Sequence, residues 1–234
     1  MKYQSCDIMK FLCLHGSGTN SSVMQSQIGP LRHELGEGYE YEFVEATIRC
    51  APAKGVEALS SPGHNYYAFF DPADLATLQI AMGQLDSYIS SEGPFDAVLG
   101  FSAGCVLAAL YLLQKQQQSP ALPFKCAIFL SCAEIREELR YLGADAVCNP
   151  IRVPTAHIWG SNDATAPSGG QALSEICDAE TRLTLIHDGG HEVPRGDHLT
   201  EACHVIRRVL QQAKRTAAQT QVPYTSANLA TQTT

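Results

Sequence analysis

The chain alternates short, almost wholly apolar runs with longer segments in which apolar side chains recur every three or four residues. Lys10-Phe-Leu-Cys-Leu14 reads as a buried strand that ends in His15-Gly-Ser-Gly18. Unbroken apolar runs of this length are what a strand covered on both faces requires. Asn20, Ser21 and Ser22 offer N-caps for a helix through about Leu35, with Val23, Met24, Gln27, Ile28, Leu31 and Leu35 roughly on one face. Pro30 kinks or divides that helix, because proline lacks an N–H and crowds the preceding turn. Gly36 and Gly38 end it, and Tyr41 to Ala46 is the next strand.

Thr47 to Phe70 has no clean periodicity and holds an aromatic cluster, Tyr66, Tyr67, Phe69 and Phe70. An aperiodic segment that long inside a compact domain is usually functional or disordered. Asp71-Pro72-Ala-Asp74 predicts a helix start, a cap followed by proline in the first turn, for a helix to about Ser90 that buries Leu75, Leu78, Met82, Leu85 and Ile89. Phe95 to Gly100, Cys126 to Ser131, Pro154 to Gly160 and Arg182 to His187 read as strands. Ala103 to Gln114, Gln171 to Cys177 and Leu199 to Lys214 read as helices, and Gln116 to Pro123 as a polar connection. The alternation predicts an α/β domain over residues 1–215, a mostly parallel sheet with helices on both faces. Residues 216–234 are Ala, Gln, Thr and Ser with few bulky core residues, and are expected to form a polar, disordered tail.

Composition narrows the function classes. A chain of 234 residues buries a full core without disulfides or a structural metal. Its formal charge of −8 argues against general nucleic-acid binding and against an anionic membrane surface as partner, since both require clustered Lys and Arg. The 9 cysteines are scattered with no CxxC pair, and Met1 to Lys10 lacks a secretory apolar core. The expected setting is therefore the cytoplasm, with reduced thiols buried as small hydrophobes. The most apolar stretch, Val98 to Leu113, is shorter than the ~20 residues of a spanning helix.

That stretch holds Gly100-Phe-Ser102-Ala-Gly104, a G-x-S-x-G motif between an apolar strand and a helix. The glycines permit a sharp strand-to-helix turn that lifts the Ser102 hydroxyl above the sheet, at a helix N-terminus that favours developing negative charge. A serine nucleophile needs a base, and the base an orienting carboxylate. Downstream, the strand ending at Gly160 runs into Ser161-Asn-Asp163, and the strand ending at His187 runs into Gly189-Gly190-His191. The order serine, acid, histidine, each just past a strand end, places all three on one sheet edge. Alone, Asp163 reads as a turn or capping residue and His191 as a surface-loop histidine; the ordered conjunction carries the triad reading. Asp188 is the rival acid, and His187 and His198 are rival bases. Ala103 N–H and Ser17 N–H, in the loop after the first strand, are the expected oxyanion donors. His15 reads as a structural residue of that loop and Cys105 as core. The histidines near residue 190 do not form a metal site, because Gly189 and Gly190 break any helix between His187 and His191. No metal and no cofactor is expected.

Phe11-Leu-Cys-Leu-His-Gly-Ser-Gly-Thr-Asn20, Phe43-Val-Glu-Ala46, the Ser102 elbow, Gly160-Ser-Asn-Asp163 and Gly190-His191 together resemble the FSH-type serine hydrolases, a family common in fungi. The resemblance covers about residues 8–213 and implies an α/β-hydrolase fold with no large separate cap domain. It implies Ser102 as nucleophile, Asp163 as acid and His191 as base. Relatives of this kind include small esterases and the trans-acting hydrolases of fungal polyketide clusters, such as those of the lovastatin and citrinin pathways. The implied substrate is an ester or thioester, small or bound to a polyketide synthase acyl carrier domain. Tyr66, Tyr67, Phe69 and Phe70 sit where relatives carry an aromatic segment over the active site, and are the expected substrate-binding residues. The competing readings are a general carboxylesterase, acyl transfer to an alcohol or amine, and a hydrolase-fold binding protein without turnover.

Overall fold

A computed structural model describes residues 8–56, 63–142 and 149–220. Six parallel strands form the central sheet in the order β2-β1-β5-β6-β7-β8: β1 Met9–Leu14, β2 Tyr39–Val44, β5 Ala97–Phe101, β6 Cys126–Leu130, β7 Thr155–Gly160 and β8 Arg182–His187. Because all run the same way, the loops after β1, β5, β6, β7 and β8 emerge at one edge, where ligands of open α/β sheets bind. Alternate residues of each strand feed two cores. Leu12, Leu14, Val98 and Phe129 pack on one face under α3 (Ala76–Glu92) and α4 (Ala103–Gln118). Phe11, Cys13, Leu99, Ile128 and Ile158 pack on the other, under α1 (Ser21–Gln27), α2 (Gly29–Leu35) and α7 (Asp197–Thr220). The run Ala103 to Leu113 of α4 is buried throughout, so its apolarity belongs to the core.

The predicted strands and long helices are present, with instructive shifts. The helix after β1 is divided at Ile28, with Pro30 in the first turn of the second half, where a missing N–H costs nothing. The strand β2 starts at Tyr39 and ends at Val44, so Ala46 lies beyond it. The helix expected from Asp71 begins at Ala76 instead. Asp71 Oδ1 accepts the Ala73 N–H and Asp74 Oδ1 accepts the Ala76 N–H, so the two aspartates build a preceding turn. Leu75 is accordingly only half-buried. Within the aperiodic segment lies a two-stranded antiparallel sheet, β3 (Ile48–Cys50) with β4 (Tyr66–Ala68). The short helix α5 (Arg136–Tyr141) has no counterpart in the sequence reading, and α6 spans Gly169–Glu175. The last helix begins at Asp197 and continues to Thr220, past Lys214; the tail expected from residue 216 overlaps it for five residues and otherwise lies outside the described residues. No helix among the described residues is long and apolar enough to cross a membrane.

Candidate active site

Ser102 joins β5 to α4 with φ +53°, a backbone conformation that costs an L-residue on the order of 1–3 kcal/mol. Close backbone packing enforces it. A Cβ at Gly100 would lie 2.6 Å from Cys105 N, and one at Gly104 would overlap Leu14 O. Ser102 N–H donates to Leu130 O at 3.1 Å, tying the turn to β6. The G-x-S-x-G spacing therefore reflects two places where only a glycine lets strand and helix meet this tightly.

The Ser102 hydroxyl is 2.9 Å from His191 Nε2, and His191 Nδ1 is 2.6 Å from Asp163 Oδ2. The other carboxylate oxygen of Asp163 accepts two backbone N–H groups, from Thr165 and Ala166, each at 2.9 Å. Asp163 is 5 % exposed, so it is a fixed acceptor. An ionised carboxylate only accepts, which puts the proton of neutral His191 on Nδ1 and leaves Nε2 free to accept from Ser102 O–H. Phe101 lies beside the imidazole, ring centroids 5.5 Å apart.

The turn after β7 braces the histidine loop. Ser161 N–H donates to His187 O at 2.7 Å, Asn162 N–H to Gly189 O at 3.0 Å and Asn162 Nδ2–H to Asp188 O at 2.6 Å. A side chain at Gly160 would overlap the carbonyls of Gly189 and Gly190. The rival groups face elsewhere. Asp188 bonds His198 Nε2 at 2.7 Å, which raises the His198 pKa. His187 is buried and accepts the Gly189 N–H on Nδ1; burial, then the nearby His198, lowers its pKa.

The loop after β1 completes the rim. A Cβ at Gly16 would lie 3.1 Å from Ser102 Cβ, so Ser17 follows directly on a residue that abuts the Ser102 side chain. Neither Ser17 N–H nor Ala103 N–H donates to a protein acceptor among the described residues. The loop itself is pinned. His15 is fully buried, donates from Nδ1 to Gly16 O at 2.8 Å and accepts the Ala46 N–H on Nε2 at 3.1 Å. Burial lowers its pKa, in keeping with a structural, neutral imidazole. Gly18 N–H donates to Tyr67 O, Tyr67 N–H to Thr19 O and Ala53 N–H to Gly18 O.

The aromatic residues divide. Phe70 lines an apolar groove of about 440 Å³ that starts at Ser17 and Gly18 and runs along Ile48, Arg49, Cys50, Ala51 and Ala53. Phe69 packs against the His15 ring at 4.7 Å and faces a separate cavity of about 230 Å³ with Val44, Ala46, Leu85 and Leu107. Tyr67 bonds the loop after β1 through its backbone, and Tyr66 is half-buried in β4 opposite Cys50. The sequence marks Thr47 to Phe70 as a functional segment but picks out only its aromatic residues, not the wall from Ile48 to Ala53, and it gives no bracing role to Asn162. The Gly160-Ser-Asn-Asp163 run held the signal for Asn162, whereas nothing local marks the wall.

The parallel sheet, with Ser102, Asp163 and His191 at its strand ends, is that of an α/β-hydrolase. Solved structures with the same fold include SOBER1 of Arabidopsis thaliana, at TM-score 0.60 and 16 % identity over 88 % of this chain and 99 % of that one. The carboxylesterase of Bacillus cereus matches at TM-score 0.58 and 15 % identity, over 89 % of this chain and 92 % of the other. More specifically, the chain belongs to the FSH1 serine hydrolase family, whose model matches residues 4–203. Esterase FPY3 of Fusarium mangiferae is 39 % identical over 198 residues, 80 % of this chain and 89 % of that protein. Esterase alnB of Emericella nidulans is 29 % identical over 260 residues, 80 % of this chain and 90 % of that protein. The chain is thus a serine hydrolase of the esterase kind.

Proposed function

We propose that the protein hydrolyses an ester or thioester of a polyketide-type acyl chain through an acyl-enzyme on Ser102. The observation that carries this reading is the unbroken relay from Ser102 Oγ to His191 at 2.9 Å and from His191 to buried Asp163 at 2.6 Å. His191 Nε2 takes the hydroxyl proton as Oγ attacks the acyl carbonyl carbon. Ser17 N–H and Ala103 N–H bind the resulting oxyanion, each such donor being worth about 2.7–4 kcal/mol in the transition state. Collapse expels the thiol or alcohol, which leaves with the proton held by His191. Water, deprotonated by His191, then attacks the acyl-serine, releases the carboxylic acid and returns the proton to Ser102. Asp163 fixes the imidazole tautomer and stabilises the imidazolium.

The groove beginning at Ser17 supports an extended apolar acyl chain, because its lining from Ile48 to Ala53 and Phe70 is mostly carbon. The resemblance to polyketide-cluster hydrolases supports a thioester delivered on an acyl carrier domain. The test is turnover of a panel of acyl thioesters and p-nitrophenyl esters by wild type and Ser102→Ala. Preference for long or aromatic thioesters in wild type, with none turned over by the variant, is the expected result. Fast hydrolysis of short esters alone replaces the polyketide reading with a general carboxylesterase.

A further inference from the structure

Two non-glycine residues among those described have positive φ: Ser102, at +53°, and Ser131, at +42°. They are neighbours. Phe101 pairs with Leu130 across β5 and β6, so each serine is the first residue past its strand at the same level of the sheet edge. Ser131 is fully buried. Its N–H donates to Ile158 O at 2.8 Å, so that group is committed to the backbone of β7 and is no oxyanion donor. Its hydroxyl donates to the carbonyl of Glu192 at 2.8 Å, across 61 residues of sequence, so it is no second nucleophile either.

Glu192 directly follows His191. From His187 to Gly189 the histidine loop is held by backbone and side-chain bonds from Ser161 and Asn162 and by the Gly189 N–H bond to the His187 ring. Immediately after His191, the bond from Ser131 joins the loop to β6, the strand that also anchors Ser102 N–H through Leu130 O. A strained backbone persists only where its surroundings over-determine it, and such strain concentrates where a side chain must be aimed.

We infer that Ser131 is a positioning residue: its buried hydroxyl, bonded to the Glu192 carbonyl, fixes the loop so that His191 Nε2 faces Ser102. The inference rests on the Ser102–His191–Asp163 reading above. A base displaced by a fraction of an ångström accepts the serine proton poorly while the substrate groove, on the other side of Ser102, is untouched.

Two variants separate hydrogen bond from backbone strain. Ser131→Gly removes the hydroxyl and relaxes the positive φ; Ser131→Asn tolerates positive φ and restores a donor, one bond further from the backbone. The expected result for Ser131→Gly is a kcat about tenfold lower on a p-nitrophenyl ester, an unchanged KM, an unchanged or higher Tm, and slower labelling of Ser102 by a fluorophosphonate in proportion to kcat. Ser131→Asn should recover part of both rates. Wild-type kcat and labelling in Ser131→Gly would overturn the inference, as would a loss in both variants that tracks a fall in Tm. Ser102→Ala, run in parallel, keeps the two readings apart: if it retains turnover, the triad assignment fails whatever Ser131 does.

Discussion

The two sides of the active-site edge are built differently. On the triad side, Ser102, Asp163 and His191 leave strand ends through turns in which backbone meets backbone, and Gly104 and Gly160 sit where any side chain would overlap a carbonyl. On the groove side, strands of three residues, Ile48–Cys50 and Tyr66–Ala68, form a separate small sheet that meets the loop after β1 through backbone bonds between Tyr67 and Gly18 and Thr19. The first side has the precision that proton transfer demands. The second borders the groove that the proposed function gives to the acyl chain. On the proposed function, chemistry and specificity fall to different parts of one edge, and substitutions on each side should have different kinetic signatures.

The largest expected effect is on the triad side. Asp163→Asn should lower kcat on the order of 10⁴-fold, because the amide stabilises the wrong imidazole tautomer, while Asp188→Asn should leave kcat nearly unchanged. Steady-state kinetics on both variants checks this, and a severe loss in Asp188→Asn alone would give the acid role to the other carboxylate.

A smaller, one-sided effect is expected in the groove. Ala51 is exposed on its wall, so Ala51→Trp should fill the channel without disturbing the core. kcat/KM for long acyl chains should fall by about tenfold while that for acetyl esters stays within about twofold, since a pocket distinguishes chains by roughly 1–3 kcal/mol per methylene lost. An equal loss for both chain lengths would show that the two sides are not separable.

The third effect is on stability alone and leaves the chemistry untouched. His157 of β7 is buried, and burial first, then Arg182, pushes its pKa from 6.5 down to about 3. Above about pH 6.5 both folded and unfolded chains hold it neutral. Below that, the unfolded chain binds a proton that the folded chain refuses, so stability falls as pH drops towards 3. The loss from this group is about 2 kcal/mol by pH 5. His157→Gln should flatten the slope of Tm against pH between 7 and 5, whatever it does to Tm at pH 7. An unchanged slope would assign the acid sensitivity to the other buried histidines, His15 and His187, whose pKa values burial also lowers.

The same contrast explains what the sequence disclosed. Gly100 to Gly104, Gly160 to Asp163 and Gly190-His191 are local runs whose backbone geometry demands particular residues, so strand order alone brings them to one edge. His15 also reads correctly as structural, because a buried loop histidine bonds its own neighbours. The wall from Ile48 to Ala53 left no such trace: strands of three residues carry too few alternating positions to register, and they pair across an aperiodic stretch. Asp71-Pro72 misplaced the start of α3 because the same side-chain oxygen that caps a helix also closes a turn two residues on. In the sequence Ser131 reads only as the end of a strand, since its bond to Glu192 reaches a residue 61 positions away.

The central claim is that Ser102 forms the acyl-enzyme, with His191 as its base. The most direct measurement is intact-mass and peptide-level analysis of the protein after brief incubation with an acyl thioester, for wild type, Ser102→Ala and His191→Ala. The account predicts an added acyl mass in wild type, mapped to the peptide that contains Ser102, and no adduct in either variant. An adduct that persists in Ser102→Ala, or that maps to a cysteine such as exposed Cys50, would contradict it.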